Sequence, residues 1–565
     1  MNNENKKIYL DGAEKKLAQI LSSPDWESKK VWQNHRDEWP MFYNLTPVRK
    51  NLLSWLDWGN EPLKVLELGA GTGILTSYFS SLKNVSKIVS VEGSPARAEL
   101  IRLRCQNDNR VNAIAANIQD YQDEEKYDVV TLIGVLEYAG KYTQSLDPFQ
   151  DMLNKAASFL KPDGRLILAI ENQLGHKYLA GGKEDHYGLA WEGVGGYPHY
   201  NGVRTFDKST LTQMLKRAGL DCQNWYYPFP DYKMPDLILS EQSFATPGFD
   251  WLALLDLPTL DYNFGRQSLF NERALLKQLT LNGKPSGFMN SFLIMASPSN
   301  KIKTQSENLL AVSLRSDVHK QFLSEKYFIL NSQTDQIKVQ DKAGNLSEYH
   351  KDYHNLFHLI VDAWLARDFK QTADYLKMWH NSVKSHSYND SQAAQNFFDF
   401  SQKNLGEKVY QDSSAWLPGN YLDLLSQNLL YQAKTGDLKI IDQEWSAPTT
   451  LPVQLVLDRG MFYLLKKIRQ FSGVGILNKQ GNWNLPAELS QSLPAELTMN
   501  DFRSFSYFEF WFQHIVHKSG DFNYCLTSAD FKKIKTQMAS EVNAGRGQTA
   551  VISKIKKILK KFITK

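Results

Sequence analysis

One short run, Val65-Leu66-Glu67-Leu68-Gly69-Ala70-Gly71-Thr72-Gly73, restricts the folds open to this chain more than any other stretch. It reads as an apolar strand that passes through closely spaced glycines into a helix, ILTSYFSSL, whose apolar residues share one face. Glycine lets the backbone approach a ligand where a Cβ would clash. The first turn of the helix adds unpaired N–H groups. The spacing is GxGxG, not the GxGxxG of dinucleotide-binding turns, and Ile74 stands where the third glycine of that motif would pack helix on strand. Glu67 precedes the first glycine; a carboxylate there repels a pyrophosphate and suits a cationic ligand carrying an amino group.

The same alternation continues downstream. KIVSVEG is a second strand ending in Glu92, where a carboxylate can accept both hydroxyls of a ribose. NAIAANI, YDVVTLIGVLEYAG and RLILAIEN read as further strands, with PARAELIRLRCQND and PFQDMLNKAASFL as helices between them. Lys161-Pro162-Asp163-Gly164 is a turn signal. Strands alternating with helices predict a doubly wound α/β domain, a parallel sheet with helices on both faces. SFLIMAS reads as its last strand, so the domain is expected to end near Pro298, and SNKIKTQSEN reads as a linker. The expected organisation is a helical segment over 1–45, the α/β domain over 46–298, a second domain over 305–530 and a distinct tail over 540–565.

Composition removes several function classes. The chain of 565 residues is 42% hydrophobic and 22% charged, which is ordinary globular usage and excludes global disorder. Its 65 basic and 61 acidic side chains give a net charge of +4, which makes no case for nucleic acid. Cys105, Cys222 and Cys525 are far apart and form no CxxC pair, so neither a zinc site nor a disulfide framework is expected. The N-terminus lacks the apolar run of a signal peptide, and no stretch reaches bilayer-spanning length. A cytoplasmic protein is expected, peripheral at most. In the tail, Ile555, Ile558 and Phe562 recur at helical spacing among lysines, the pattern of a basic amphipathic helix lying on an anionic membrane surface.

The glycine run, the acid at 92 and the strand order together resemble class I methyltransferases over roughly residues 40–298. That resemblance implies S-adenosylmethionine as cofactor, with Glu67, Gly69, Gly71 and Gly73 around its methionine part and Glu92 on its ribose. It also implies Asn117 and Ile118 beside the adenine, and Gly134 to Glu137 lining the site after the fourth strand. On the acceptor side, a long Gly- and aromatic-rich loop follows Glu171-Asn172 and carries Glu184-Asp185-His186-Tyr187. A hydroxyl acceptor needs a base, and His186 is the candidate; the plainer reading has these polar residues simply holding the loop together.

In the second half, Asp423 and Asn428 have the D-x-x-x-x-N spacing of a kinase catalytic loop, and Asp442 closes an apolar run, LKII. In that chemistry Asp423 faces the acceptor hydroxyl, while Asn428 and Asp442 hold Mg2+ on the phosphates of ATP. Tyr421-Leu422 precedes Asp423 in place of the usual His-Arg, and Gln-Glu-Trp follows Asp442, closer to aminoglycoside and small-molecule kinases. No glycine-rich phosphate loop is evident; Lys338, Lys342 and Glu348 are the candidates for an N-lobe ion pair. The expected fold class is thus a Rossmann-like α/β domain followed by an α+β protein-kinase-like domain. The order is similar to that of the bifunctional methyltransferase–kinases that cap bacterial O-antigen polysaccharides. This resemblance implies a glycan or lipid-linked sugar acceptor, methylated at a sugar or sugar phosphate. It fits a glycosyltransferase partner and a place at the inner face of the plasma membrane. The rival readings are a small-molecule O-methyltransferase with a non-catalytic kinase-like scaffold, and a membrane-surface assembly protein for glycosyltransferases.

Overall fold

The apolar runs of the first half pair into one sheet whose central strands are mostly buried on both faces. In a computed structural model of the protein these strands are β1 (Leu63–Leu68), β2 (Val85–Glu92), β3 (Val111–Ala115), β4 (Tyr127–Ile133) and β5 (Leu160–Glu171). They stand in the order β5-β4-β1-β2-β3 and pair in parallel throughout. Val65, Leu66, Val130, Leu132 and Leu168 are fully buried. The chain crosses from β1 to β2 on one side and returns to β4 on the other, so the sheet has a switch point between β1 and β4. Ligands of open α/β sheets bind in the crevice outside the carboxyl ends of strands at such a point. The structure describes residues 12–541 apart from 24–25, 28–30, 36–37, 144, 260, 262–267, 299–307, 443–444, 479 and 499.

The sheet does not end where the sequence reading ended it. β8 (Ser291–Ser297) forms as expected and pairs antiparallel with β5. Beyond it the sheet continues through β6 (Cys222–Phe229), β7 (Leu237–Ser240), β9 (Leu309–Arg315), β10 (Ser324–Asn331), β11 (Gln336–Asp341) and β12 (Leu346–Glu348). The boundary near Pro298 is therefore corrected: residues 309–315 and 324–348 belong to the first unit. The reason is the apolar edge of β7. Leu237, Ile238 and Leu239 are buried, and β9 covers that edge through the register Leu237↔Ser313, Ile238↔Val312 and Leu239↔Ala311. Lys338, Lys342 and Glu348, read as kinase N-lobe candidates, consequently lie on or beside strands of the first unit's sheet, and Lys342 pairs there with Glu325 at 2.6 Å.

The N-terminal segment also belongs to this unit. Its helices Glu14–Leu21 and Trp39–Leu45 bury Leu17, Leu21, Met41 and Leu45 with Leu100 of the helix Pro95–Arg104. The described helices of the 1–45 segment thus pack as part of the α/β domain.

The second unit, from residue 350 onward with two short upstream segments, is mainly helical. Its helices include Leu356–Leu365, Phe369–Ser385, Ser391–Asn404, Val453–Ser472 and Phe502–His514. A small antiparallel sheet joins His354–Asn355, Leu429–Gln432 and Asp437–Ile440. Since β9–β12 complete the first unit, the α+β kinase-like fold expected over 305–530 does not form as a separate body from those strands. The basic tail lies outside the described residues, of which no helix is long and apolar enough to cross a membrane.

A chain ending at residue 298 should fail to fold cooperatively, whereas one ending at 350 should melt like the first unit of the full chain. Leu310, Ala311, Val312 and Leu314 of β9 are buried, and each large apolar side chain contributes about 1.5–3 kcal/mol. Their sum is comparable with a typical domain stability of about 5–15 kcal/mol. Circular-dichroism melting of the two truncations checks this; equal midpoints would contradict it.

Candidate active site

The strand-to-helix turn after β1 is built by backbone that only glycine adopts freely. Gly69, Gly71 and Gly73 have φ of 77°, 60° and 81°. Each does a different job. A Cβ on Gly69 would meet Val135 Cγ2 at 2.5 Å, so this glycine lets the turn after β4 approach the turn after β1. A Cβ on Gly73 would meet Ile101 Cα at 3.1 Å, so Gly73 seats its helix against Pro95–Arg104. A Cβ on Gly71 would meet nothing within 4 Å, because Gly71 faces open space.

That space is a cavity of about 1030 Å3. Glu67, Gly69, Gly71, Glu92, Asn117, Ile118, Gly134 and His186 all line it. Gly73, between the lining residues Thr72 and Ile74, is itself packed toward Ile101. Asp423, Asn428 and Asp442 belong to the second unit and are not in this cavity.

The cavity has two chemically distinct ends. At the glycine end, Glu92 ends β2 and accepts hydrogen bonds from the Gly71 N–H and the Ser94 N–H, both at 2.9 Å. Those bonds hold the carboxylate across the turn, and burial pushes its pKa up. Glu67 accepts from the Thr76 hydroxyl at 2.5 Å and from the Ser90 hydroxyl at 3.3 Å. Burial raises its pKa to about 7. Asn117 accepts from the Gln119 N–H at 3.0 Å, which fixes its side chain at the cavity wall. The helix Trp39–Leu45 contributes Trp39, Tyr43 and Asn44 to the lining, and Arg49 stacks 3.8 Å above the Tyr43 ring.

At the other end, the loop after β5 brings His186 beside Glu137 and Glu171. The His186 Nδ1 lies 2.8 Å from Glu184, whose other oxygen accepts the His186 N–H at 2.7 Å. Its Nε2 faces Glu137 Oε1 at 4.0 Å. Burial opposes a charge on the ring, but Glu184, Glu171 and Glu137 outweigh it and lift its pKa to about 9. Glu137 is buried beside Glu171 and held well above the carboxylate range. Glu171 pairs with Lys233, whose ammonium outweighs burial and keeps the carboxylate ionised. Lys233 also approaches Asp185 at 3.5 Å, and Asp185 binds Lys177 at 2.9 Å. Asn172 is committed elsewhere: its amide donates to the carbonyls of Gly287 and Met289.

Sequence reasoning missed Lys233, Tyr232 and the N-terminal aromatic wall. The signal for Lys233 was a charged pair, Asp231 and Lys233, set among the aromatic residues of YYPFPDYK. No local signal marked Trp39 and Tyr43, because WPMFYNL reads equally well as core.

In the second unit, Asn428 donates to Asp423 Oδ2 at 3.1 Å, and the Ile441 N–H donates to the Asn428 carbonyl at 2.9 Å. The D-x-x-x-x-N pair and the strand leading to Asp442 are therefore adjacent, and Asp442 takes a left-handed φ of 59°. The fully buried Arg459 donates to Asp423 Oδ1 at 2.5 Å and to Glu509 at 2.9 Å.

Residues 41–224 match a family model described as a methyltransferase domain. The chain is 23% identical over 165 residues to a ubiquinone biosynthesis O-methyltransferase of Rickettsia bellii, a match covering 28% of this chain and 65% of that protein. It is 24% identical over 147 residues to a malonyl-[acyl-carrier protein] O-methyltransferase of Ilyobacter polytropus, covering 25% and 52%. Among solved structures it is similar to the N-methyltransferase NodS of Bradyrhizobium japonicum in complex with S-adenosyl-L-homocysteine, at 16% identity and a TM-score of 0.21, covering 29% of this chain and 75% of that one.

The glycine geometry makes a test of its own. Gly69→Ala should cost about 1–3 kcal/mol by overpacking against Val135. Gly71→Ala should cost only the left-handed backbone strain, about 1–2 kcal/mol. Thermal melting should therefore rank Gly69→Ala below Gly71→Ala; the reverse order would contradict the assignment. With the matched model spanning the glycine turn, the acid at the end of β2 and the parallel sheet, the chain carries a class I S-adenosylmethionine-dependent methyltransferase domain.

Proposed function

We propose that this domain transfers the methyl group of S-adenosylmethionine to a hydroxyl oxygen of a sugar acceptor. The observation that carries the reading is one cavity lined by the glycine turn and Glu92 and also by His186 and Glu137, with the buried Glu171 beside the latter pair. The cofactor occupies the glycine end, with its ribose hydroxyls on Glu92 and its amino group toward Glu67. The acceptor oxygen occupies the carboxylate–imidazole end. Transfer forms one O–C bond, breaks one S–C bond and releases the hydroxyl proton to that cluster. Oxygen as the acceptor atom agrees with the names of the relatives in Rickettsia and Ilyobacter. The chain spans 65% of the first of these, so its own substrate rests on other grounds.

Those grounds are charge and the resemblance to polysaccharide-capping enzymes. Carboxylates dominate the acceptor end, which disfavours an anionic phosphate oxygen and favours an uncharged hydroxyl rich in hydrogen-bond donors. A terminal sugar of a bacterial surface glycan meets that description. In the same reading Asp423, Asn428 and Asp442 serve ATP and Mg2+ in the second unit, and the basic tail holds the protein at an anionic membrane.

Calorimetry tests both halves. The full-length protein should bind S-adenosylmethionine, and Gly71→Ala and Glu92→Ala should each weaken it by about tenfold or more, or at least about 1.4 kcal/mol. Unchanged affinity in both variants would remove the site. ATP with Mg2+ should bind and be weakened by Asp442→Ala; no heat with nucleotide would leave the second unit a scaffold.

A further inference from the structure

We propose that Glu137, Glu171 and His186 form a site for a divalent first-row cation at the acceptor end of the cavity, which holds the acceptor oxygen by coordination. This rests on the methyl-transfer reading of the same cavity and adds no bond to that transfer.

The placement follows from topology. β4 and β5 are parallel neighbours with Ile133 opposite Ala169. Glu171 ends β5 and Glu137 lies in the turn that follows β4, so both carboxylates emerge at the same edge of the sheet. His186 reaches that edge from the loop after β5. One ligand atom from each of the three lies within 4.8 Å of the others. Ligands about 2.0–2.2 Å from one ion stand at most about 4.4 Å apart, so a small inward movement completes the site.

Two oxygens in the cluster point to a missing partner. Glu137 Oε2 and Glu171 Oε2 are buried and accept no hydrogen bond, while Glu137 and Glu171 themselves are 1% and 0% exposed. Buried carboxylate oxygens without a donor are costly, and native structures rarely keep them so. Lys233 does not supply the partner, because its ammonium is taken by Glu171 Oε1 and Asp185. The imidazole is already arranged as a ligand. Its Nδ1 is held by Glu184, which sets the ring and leaves Nε2 facing Glu137, as in carboxylate–histidine–metal sites. The surrounding charge agrees. The carboxyl groups of Glu137, Glu171, Glu184, Asp185 and Asp231 outnumber the basic groups of Lys177, Lys233 and His186, and a dication would take the place of the protons on His186 and Glu137.

The donor set selects the ion. Imidazole with carboxylates suits Mn2+ or Zn2+ better than Ca2+, which takes oxygen ligands only. Three protein ligands leave coordination positions open, and these would receive the acceptor hydroxyl.

The test is Mn2+ binding to the full-length, metal-free protein, read by electron paramagnetic resonance and by calorimetry, with Zn2+ as a second probe and no nucleotide present. Mn2+ should bind, Glu137→Gln and His186→Gln should each weaken it by about tenfold or more, and Asp442→Ala should leave it unchanged. S-adenosylmethionine should still bind the first two variants, which keep the glycine turn and Glu92 intact, with any change in its affinity smaller than the change for Mn2+. If the protein binds S-adenosylmethionine but neither Mn2+ nor Zn2+, the cation site is refuted while the methyltransferase reading stands. Unaltered Mn2+ affinity in both variants, or its loss in Asp442→Ala, would also refute it. Should Glu137→Gln melt early, His186→Gln decides the question alone. Loss of S-adenosylmethionine binding by the unmodified protein would instead remove the reading on which the proposal rests.

Discussion

β1 pairs in parallel with β2 on one side and β4 on the other, and this pairing opens the crevice on which every functional feature of the first unit depends. The crevice has to be lined by backbone at its narrowest place, where the turns after β1 and β4 meet. Gly69 allows that approach, since a side chain there would collide with Val135. Once the two turns are close, Glu92 from β2 and Glu137 from the β4 turn line one cavity. The antiparallel strands β6 to β12 extend the same sheet away from this crevice. Their contribution is to bury the outer edge of the sheet, while the connection between β6 and β7 brings Tyr232 and Lys233 to the cavity.

Charge divides the cavity. At the glycine end, Glu92 is satisfied by backbone N–H groups of the turn it closes, and Glu67 by Thr76 and Ser90. At the acceptor end the carboxylates are buried and incompletely satisfied, with Lys233 and Lys177 compensating only part of their charge. Buried charge of this kind is tolerated where it has work to do, because desolvation would otherwise select apolar replacements. A cofactor that is itself a cation fits a site whose overall sign is negative.

Much of this was legible in the sequence, for local reasons. KVLEL, KIVSVE and DVVTLI are strands buried on both faces, so their apolar runs are nearly continuous and announce a parallel sheet. Glu92 and His186 were legible because each sits next to a clear strand end or in a loop too long to be a simple connection. The convergence of Glu137 and Glu171 was not visible, because it follows from which strands are neighbours. The membership of β9 to β12 failed for a similar reason: LLAVSLR reads correctly as a strand, but nothing local says that it pairs with Leu237–Ser240. In the second unit the spacing of Asp423 and Asn428 was legible and the two side chains do meet. Arg459, buried in the helix Val453–Ser472 and bound to Asp423, was not anticipated. A guanidinium inside an otherwise apolar helical face was the available sign. Because breaking a buried ion pair costs about 3–5 kcal/mol, Asp423 has a structural role whatever chemistry it performs.

The central claim is that one cavity joins a cofactor end to an acceptor end. A crystal structure of the full-length protein with S-adenosyl-L-homocysteine tests it most directly. The account predicts ribose hydroxyls on Glu92, the amino acid part along Gly69 to Gly71, and the sulfur facing Glu137 and His186. Between sulfur and cluster there should be room for a methyl group and one acceptor oxygen in line, about 3–3.5 Å apart. Ligand bound outside this cavity, or bound with its sulfur turned away from Glu137 and His186, would contradict the account.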